Sequence, residues 1–226
     1  MSILPFYIYA VFGLTVLSAI LLIYKATNYS KSFLILISLW MIFQTILTVS
    51  GFYKIANTIP PRFALLVLPP FIVILTRFFS TSGRHFIDNL DIKTLTLVHV
   101  LRVPIEIILY WLFANKMMPE LLTFEGRNFD LFSGLTAVLI YYFAFVKKIL
   151  NVNTLLVWNY ICLVLLMNIA GNAMLSLPSV FQQFARDLPA IAILQFPFVF
   201  LPSVLVPIVL LSHLAAIRQL VLKKRN

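Results

Sequence analysis

The chain reads as an all-α integral membrane bundle of seven transmembrane helices, amino terminus outside and carboxyl terminus in the cytoplasm. Three observations lead there. Of its 226 residues, 62% are hydrophobic and only 11% charged, with a mean hydropathy of +1.03, whereas a soluble domain is about half apolar and a quarter charged. The excess lies in charge-free runs close to the roughly 20 residues that cross a hydrocarbon core of about 30 Å. Between the runs, the basic residues divide unevenly, as topology signals do.

The runs, taken in order, predict spans at 3–24, 32–53, 59–79, 94–113, 129–146, 154–177 and 198–221, all within one domain covering 1–226. The first has no basic segment before it and is too long for a signal-peptide core, so it is expected to stay as a membrane helix. The third is the shortest: its clean apolar core, 63–76, contains Pro69 and Pro70. It reaches both interfaces if Arg62 and Arg77 snorkel from its ends. Leaving those residues in a lipid-exposed loop is worse, because their backbone polar groups would find no partners. With the amino terminus outside, Lys25, Lys31, Arg77, Arg84, Lys93, Lys147, Lys148, Arg218, Lys223, Lys224 and Arg225 face inward, and Lys54, Arg62, Lys116, Arg127 and Arg186 face outward. That bias of eleven to five puts the carboxyl terminus in the cytoplasm of an inner (plasma) membrane.

The net charge of +10 is spread between apolar runs rather than gathered with interleaved aromatics. It implies contact with the lipid bilayer, and with anionic lipids at the cytoplasmic face, rather than with nucleic acid. The one cysteine, Cys162, lies in an apolar run and excludes an intrachain disulfide. Of the two longer outer connections, 114–128 carries Glu120, Glu125 and Arg127. In 178–197, Val180, Phe181, Phe184 and Leu188 share a helical face opposite Gln182, Gln183, Arg186 and Asp187. The second pattern predicts a short interfacial helix ended by Pro189.

Candidate site residues centre on the fourth span, where His99, Arg102 and Glu106 are spaced three and four apart, with Tyr110 four further on. Such residues are neighbours on one helix face. Charge at bilayer depth costs about 2.5–3.5 kcal/mol per residue on insertion scales and faces protein or a water-filled cavity. Pro104 lies among them and frees the carbonyl of Val100. Counting depth along the other spans places His213, Asn159 and Gln44 level with the trio, and these seven residues are the expected binding set. Arg102 would anchor an anionic group, Glu106 would titrate, and His99 and His213 would carry protons. The plainer reading is an Arg102–Glu106 ion pair that cements packing. Buried pairs gain little net stability, which weighs against that purpose. No metal or cofactor is expected: a zinc site from two histidines and one carboxylate would be repelled by Arg102, and no paired-histidine spacing is present.

Some short stretches resemble known membrane families. The run Leu68-Pro69-Pro70 is similar to Leu201-Pro202-Ser203, and the spans holding them occupy equivalent places in the parallel repeats of sugar-efflux transporters. The Pro-Gln signature of those transporters is missing. The topology resembles that of retinal opsins, but the last span has no lysine before Lys223. Pro104-Ile105-Glu106 resembles the Pro-x-Glu of membrane-bound lycopene cyclases, with Ile107 where that family carries a second acid. The expected function is a transporter or solute-binding membrane protein, with proton coupling through Glu106 or His213. The alternatives are a membrane-embedded enzyme acting on a lipid or isoprenoid, with Glu106, His99 and His213 as its acid/base groups, and an assembly subunit without substrate.

Overall fold

A computed structural model describes residues 4–56 and 58–225, and among these residues the fold is wholly helical. The long helices are α1 (Phe6–Ala26), α2 (Lys31–Val49), α3 (Ala64–Phe79), α6 (Arg102–Ala114), α7 (Asp130–Tyr141), α8 (Val152–Ser176) and α9 (Val206–Arg225), with short α4 (Thr81–Asp88) and α5 (Ile92–Val98) between α3 and α6. A 3₁₀ turn, His99–Leu101, joins α5 to α6, and π-helical turns at Tyr142–Val146 and Leu201–Leu205 extend α7 and precede α9. Five helical stretches are long and apolar enough to cross a membrane: Phe6–Ala26, Lys31–Val49, Ile92–Ala114, Val152–Ser176 and Leu201–Arg225. The pair α3–α4, bent by 96°, makes a sixth if it counts as one span, and Asp130–Val146 is shorter. Five or six such spans, against the seven expected, give a helical, membrane-spanning architecture.

Helix starts are set by side chains that accept from otherwise unpaired N–H groups of the first turn. Ser30 Oγ accepts from Phe33 N at 3.4 Å, Ser80 Oγ from Gly83 N at 3.0 Å, Asp91 Oδ2 from Thr94 N at 3.1 Å and Asn151 Oδ1 from Thr154 N at 2.8 Å. Lipid removes most of the hydrophobic drive between helices, so small residues that allow close approach matter more. Ala19 and Ala26 of α1, Ala137 of α7 and Ala215 of α9 are fully buried accordingly. The stretch ending in α9 is central, with 61% of its apolar window buried, and α2 is peripheral, with 11%.

α2 is tied to that centre through backbone that prolines leave open. Pro207 cannot donate to Ser203, and Trp40 Nε1 donates to the Ser203 carbonyl at 2.9 Å. Pro69 cannot donate to Leu65, and Gln44 Nε2 reaches the Leu65 carbonyl at 3.4 Å. Where α3 turns into α4, a Cβ on Gly83 would meet the Arg77 carbonyl at 2.3 Å, so only glycine fits that corner. α4 is then clamped under α9 by a bidentate Arg218–Asp88 pair at 2.7 and 2.8 Å and by Gln219 Nε2, which donates to the Ile87 and Leu90 carbonyls.

At the opposite end, both long connections fold into the bundle. Met118, Leu122 and Thr123 are buried in the first, and Ala190, Ala192, Ile193 and Leu194 in the second. The interfacial helix expected after Pro178 does not form. The Gln183 and Phe184 N–H groups bond instead to the Leu175 carbonyl at the end of α8, and Gln182 Nε2 donates to the Phe184 and Ala185 carbonyls. Ala185 is left-handed at φ 54, which helix geometry excludes. Val180 and Phe181 are consequently about half exposed rather than laid on one buried face.

Candidate functional site

The trio of the fourth span sits where its helix tightens from α to 3₁₀ geometry. Pro104 withholds an N–H from Val100, and the backbone tightens into the 3₁₀ turn His99–Leu101 immediately before Arg102. His99, Arg102 and Glu106 are all buried. Arg102 does not pair with Glu106. Its Nη1 donates to Asp130 Oδ1 at 2.8 Å and to the Cys162 carbonyl at 3.4 Å, and its Nη2 donates to His213 Nε2 at 3.0 Å. Spacing along one helix suggested the intrahelical pair; tertiary packing supplied a nearer acid from the first turn of α7.

A guanidinium N–H can only donate, so His213 Nε2 accepts and the ring is the neutral Nδ1–H tautomer. That N–H then donates to Asn159 Oδ1 at 2.9 Å, and Asn159 Nδ2 donates to the Leu155 carbonyl at 2.9 Å. The chain of bonds from Arg102 into α8 is closed, and the lone pair through which His213 would take up a proton is filled by Arg102. His99 stacks on His213 with centroids 3.8 Å apart and planes at 16°, and packs edge-to-face with Trp158, centroids 5.4 Å apart. Neither ring nitrogen of His99 has a hydrogen-bond partner.

On the other side of Arg102, Asn128 Nδ2 donates to Glu106 Oε1 at 2.6 Å and to the Leu122 carbonyl at 3.2 Å, while Asn128 Oδ1 accepts from Asp130 N at 3.0 Å. Asn128 thereby accepts the first N–H of α7, at Asp130, and holds one oxygen of Glu106. The other oxygen, Oε2, is buried without a partner. α6 and α7 come close enough for this because of Gly134, where a Cβ would meet Val103 Cγ2 at 2.8 Å and Arg102 Cβ at 3.2 Å.

Arg102, Glu106, Asn128 and Asp130 line one end of a cavity of about 110 Å³ whose other walls are apolar. Val67 comes from α3, Ile105 and Leu109 from α6, Ile169, Ala173 and Met174 from α8, and Leu205 and Val209 from the last span. Met118, Leu122 and Ile193 of the infolded connections cover it, and Met174, 42% exposed, brings the cavity to the surface of the bundle near the end of α8. No protein-family model, curated protein or solved structure matches the chain. What the site can do therefore rests on its own geometry.

Of the seven expected residues, His99, Arg102, Glu106, Asn159 and His213 come together. Gln44 instead accepts from Tyr53 Oη at 2.5 Å and bonds Leu65, and Tyr110 stacks on Phe124 at 5.1 Å. Asp130, Asn128 and Trp158 join the cluster without having been singled out. Among the described residues, no group of three His, Cys, Asp or Glu side chains is placed to hold a metal ion.

Proposed function

We propose that the chain is a seven-span inner-membrane transporter or solute-binding protein, amino terminus outside, whose site is the cavity ending at Arg102, Asp130 and Glu106. One observation carries the reading. Two irregular backbone stretches, the π turn at Leu201–Leu205 and the connection ending at Asn128, line that cavity, and the 3₁₀ turn His99–Leu101 leads directly into Arg102 at its polar end. Non-helical backbone at membrane depth is tolerated where it is buried or lines a cavity, and discontinuous helices form the substrate sites of many transporters. The uneven division of basic residues supports the orientation.

The chemistry of the site narrows the ligand. Arg102 is already neutralised by Asp130, so it does not anchor an anion. The free acceptor is Glu106 Oε2, beside apolar walls, and the fitting solute is a small apolar group bearing an amine or hydroxyl. An engineered cavity of about 150 Å³ holds benzene, so a cavity of about 110 Å³ takes a smaller solute. The test is thermal melting of the purified full chain in mild detergent with isobutylamine, isobutanol or isobutyrate. Binding to the native state raises the melting temperature. The amine and alcohol are expected to stabilise more than isobutyrate, and Glu106→Gln should erase the difference. Stabilisation led by isobutyrate, or unchanged in Glu106→Gln, overturns the reading. For transport itself, Glu106→Gln should abolish the pH dependence of uptake into proteoliposomes.

A membrane-embedded enzyme acting on a lipid or isoprenoid is the second reading. The unpartnered Glu106 oxygen in an apolar cavity that reaches the bundle surface favours it. Turnover of a membrane lipid on expression, lost in Glu106→Ala, would distinguish it from transport.

A further inference from the structure

A second, larger cavity of about 450 Å³ lies away from the charged cluster, between α2, α3 and the last span. Its walls are Phe33, Leu36, Ile37, Trp40, Pro70, Val73 and Leu211, and Leu36 and Val73, 49% and 44% exposed, leave it open at the bundle surface. Ser30, Ser32 and Arg77 meet Phe86 at one end, while Ser203 at the other is committed, its hydroxyl donating to the Val199 carbonyl and its own carbonyl accepting from Trp40. From Ser32 to Trp40 the wall rises roughly 12 Å at 1.5 Å per residue. The cleft is thus a long apolar slot with a cationic mouth.

Arg77 is free to take an anion. The chain has seven acids, and only Asp88 and Asp91 belong to this end of the bundle. Both are committed: Asp88 to Arg218 in a bidentate pair, and Asp91 to the cap of α5. Among the described residues Arg77 has no ion pair; its guanidinium lies over the Phe86 ring at 6.0 Å. The tight packing of Gly83 against the Arg77 backbone fixes it at that corner.

We infer that this cleft binds one acyl chain of an anionic phospholipid, with the phosphate at Arg77, Ser30 and Ser32. The apolar slot, opening laterally beside the exposed face of α2, selects a lipid over a free anion. The lone unpaired arginine at its mouth selects an anionic head. The site is independent of the Arg102 cavity and of any function there.

Trp40 in the cleft wall gives a direct readout. The full chain is reconstituted in phosphatidylcholine bilayers containing a minor fraction of brominated phosphatidylglycerol or brominated phosphatidylcholine, and tryptophan fluorescence is recorded for it and for Trp40→Phe, so that the difference isolates Trp40 from Trp111 and Trp158. Bromine quenches tryptophan on contact. Brominated phosphatidylglycerol is expected to associate about fivefold more strongly, the worth of one basic side chain at an anionic surface. Arg77→Gln should reduce that preference to near unity, and Val73→Phe, which narrows the slot without adding an indole, should weaken quenching of Trp40 by either lipid. Arg77 is exposed, so its replacement leaves the fold intact. Equal quenching by the two lipids in the wild-type chain overturns the proposal without any variant, as does a preference that survives Arg77→Gln.

Discussion

Asp130→Asn removes the counter-charge of Arg102 while keeping an oxygen that can accept from Nη1. Arg102 is 2% exposed and Asp130 5%, so water cannot replace the lost charge. Breaking one side of a buried pair costs about 3–5 kcal/mol. Glu106→Gln, four residues from Arg102, keeps the oxygen that accepts from Asn128, and the atom it changes, Oε2, has no partner to lose. Its cost is about 1 kcal/mol, the net worth of one ordinary hydrogen bond. For a chain of this length, each kcal/mol moves the melting temperature by about 2–4 °C, so Asp130→Asn should melt roughly 6–20 °C early and Glu106→Gln roughly 2–4 °C early. Melting of the three proteins in one mild detergent, followed by circular dichroism, reads the difference. A third variant, Arg102→Met with Asp130→Leu, should lie closer to wild type than Asp130→Asn, because both partners of the pair go together and neither is left unpaired. If Glu106→Gln melts as early as Asp130→Asn, then Glu106 shares the neutralisation of Arg102 and the assignment of Asp130 as its counter-ion is wrong.

Other substitutions probe how the helices are held. Gly134→Val should destabilise the protein by about 1–3 kcal/mol, the usual cost of overpacking, because its side chain would enter the space of Val103; an unchanged melting temperature would show that α6 and α7 separate freely. Trp40→Phe should cost about 1–3 kcal/mol by leaving the Ser203 carbonyl unpaired, and adding Pro207→Ala should recover part of it, since the restored N–H can bond that carbonyl. Additive effects in that pair would disprove the link between the proline and the indole. Asp88→Asn, by contrast, should cost no more than about 1 kcal/mol in spite of its bidentate geometry, because the pair with Arg218 is partly exposed.

Hydropathy placed the helices well because crossing lipid demands a run of a given length, and that demand acts on sequence locally. It could not foresee the two connections. The stretch 178–188 is amphipathic by pattern, yet its N–H groups go to the end of α8 and its own glutamine takes its carbonyls, so no helix forms. Asp130 escaped notice because it begins a span, where a charged residue reads as interfacial. The signal that could have found it was the apolar content of the preceding connection: Met117, Met118, Leu121, Leu122 and Phe124 do not belong in a solvated loop, and Met118 and Leu122 are buried. A connection that dips into the bundle carries Asn128 and Asp130 down with it. Gln44 illustrates the converse limit, since counting along a helix gives depth but not direction. Gln44 lies on the face of α2 that meets α3, away from Arg102.

The break before Arg102 can be tested against the simplest explanation, that Pro104 is a tolerated defect. Proline in a helix interior is about 3 kcal/mol less favourable than alanine, so propensity alone makes Pro104→Ala strongly stabilising. The structure argues the opposite. Pro69 and Pro70 lie inside α3 without interrupting it, so a proline need not break a helix here. Three residues in 3₁₀ geometry advance by about 120° each rather than 100°, and restoring an α-helix would turn α5 and His99 by roughly 60° relative to Arg102. That rotation would pull His99 off His213 and Trp158, and Leu95 and Val98, both fully buried, out of the core. Pro104→Ala should therefore fail to stabilise the protein, and melt at or below the wild-type temperature. A gain near the full 3 kcal/mol would mean that the turn plays no part in positioning the cluster.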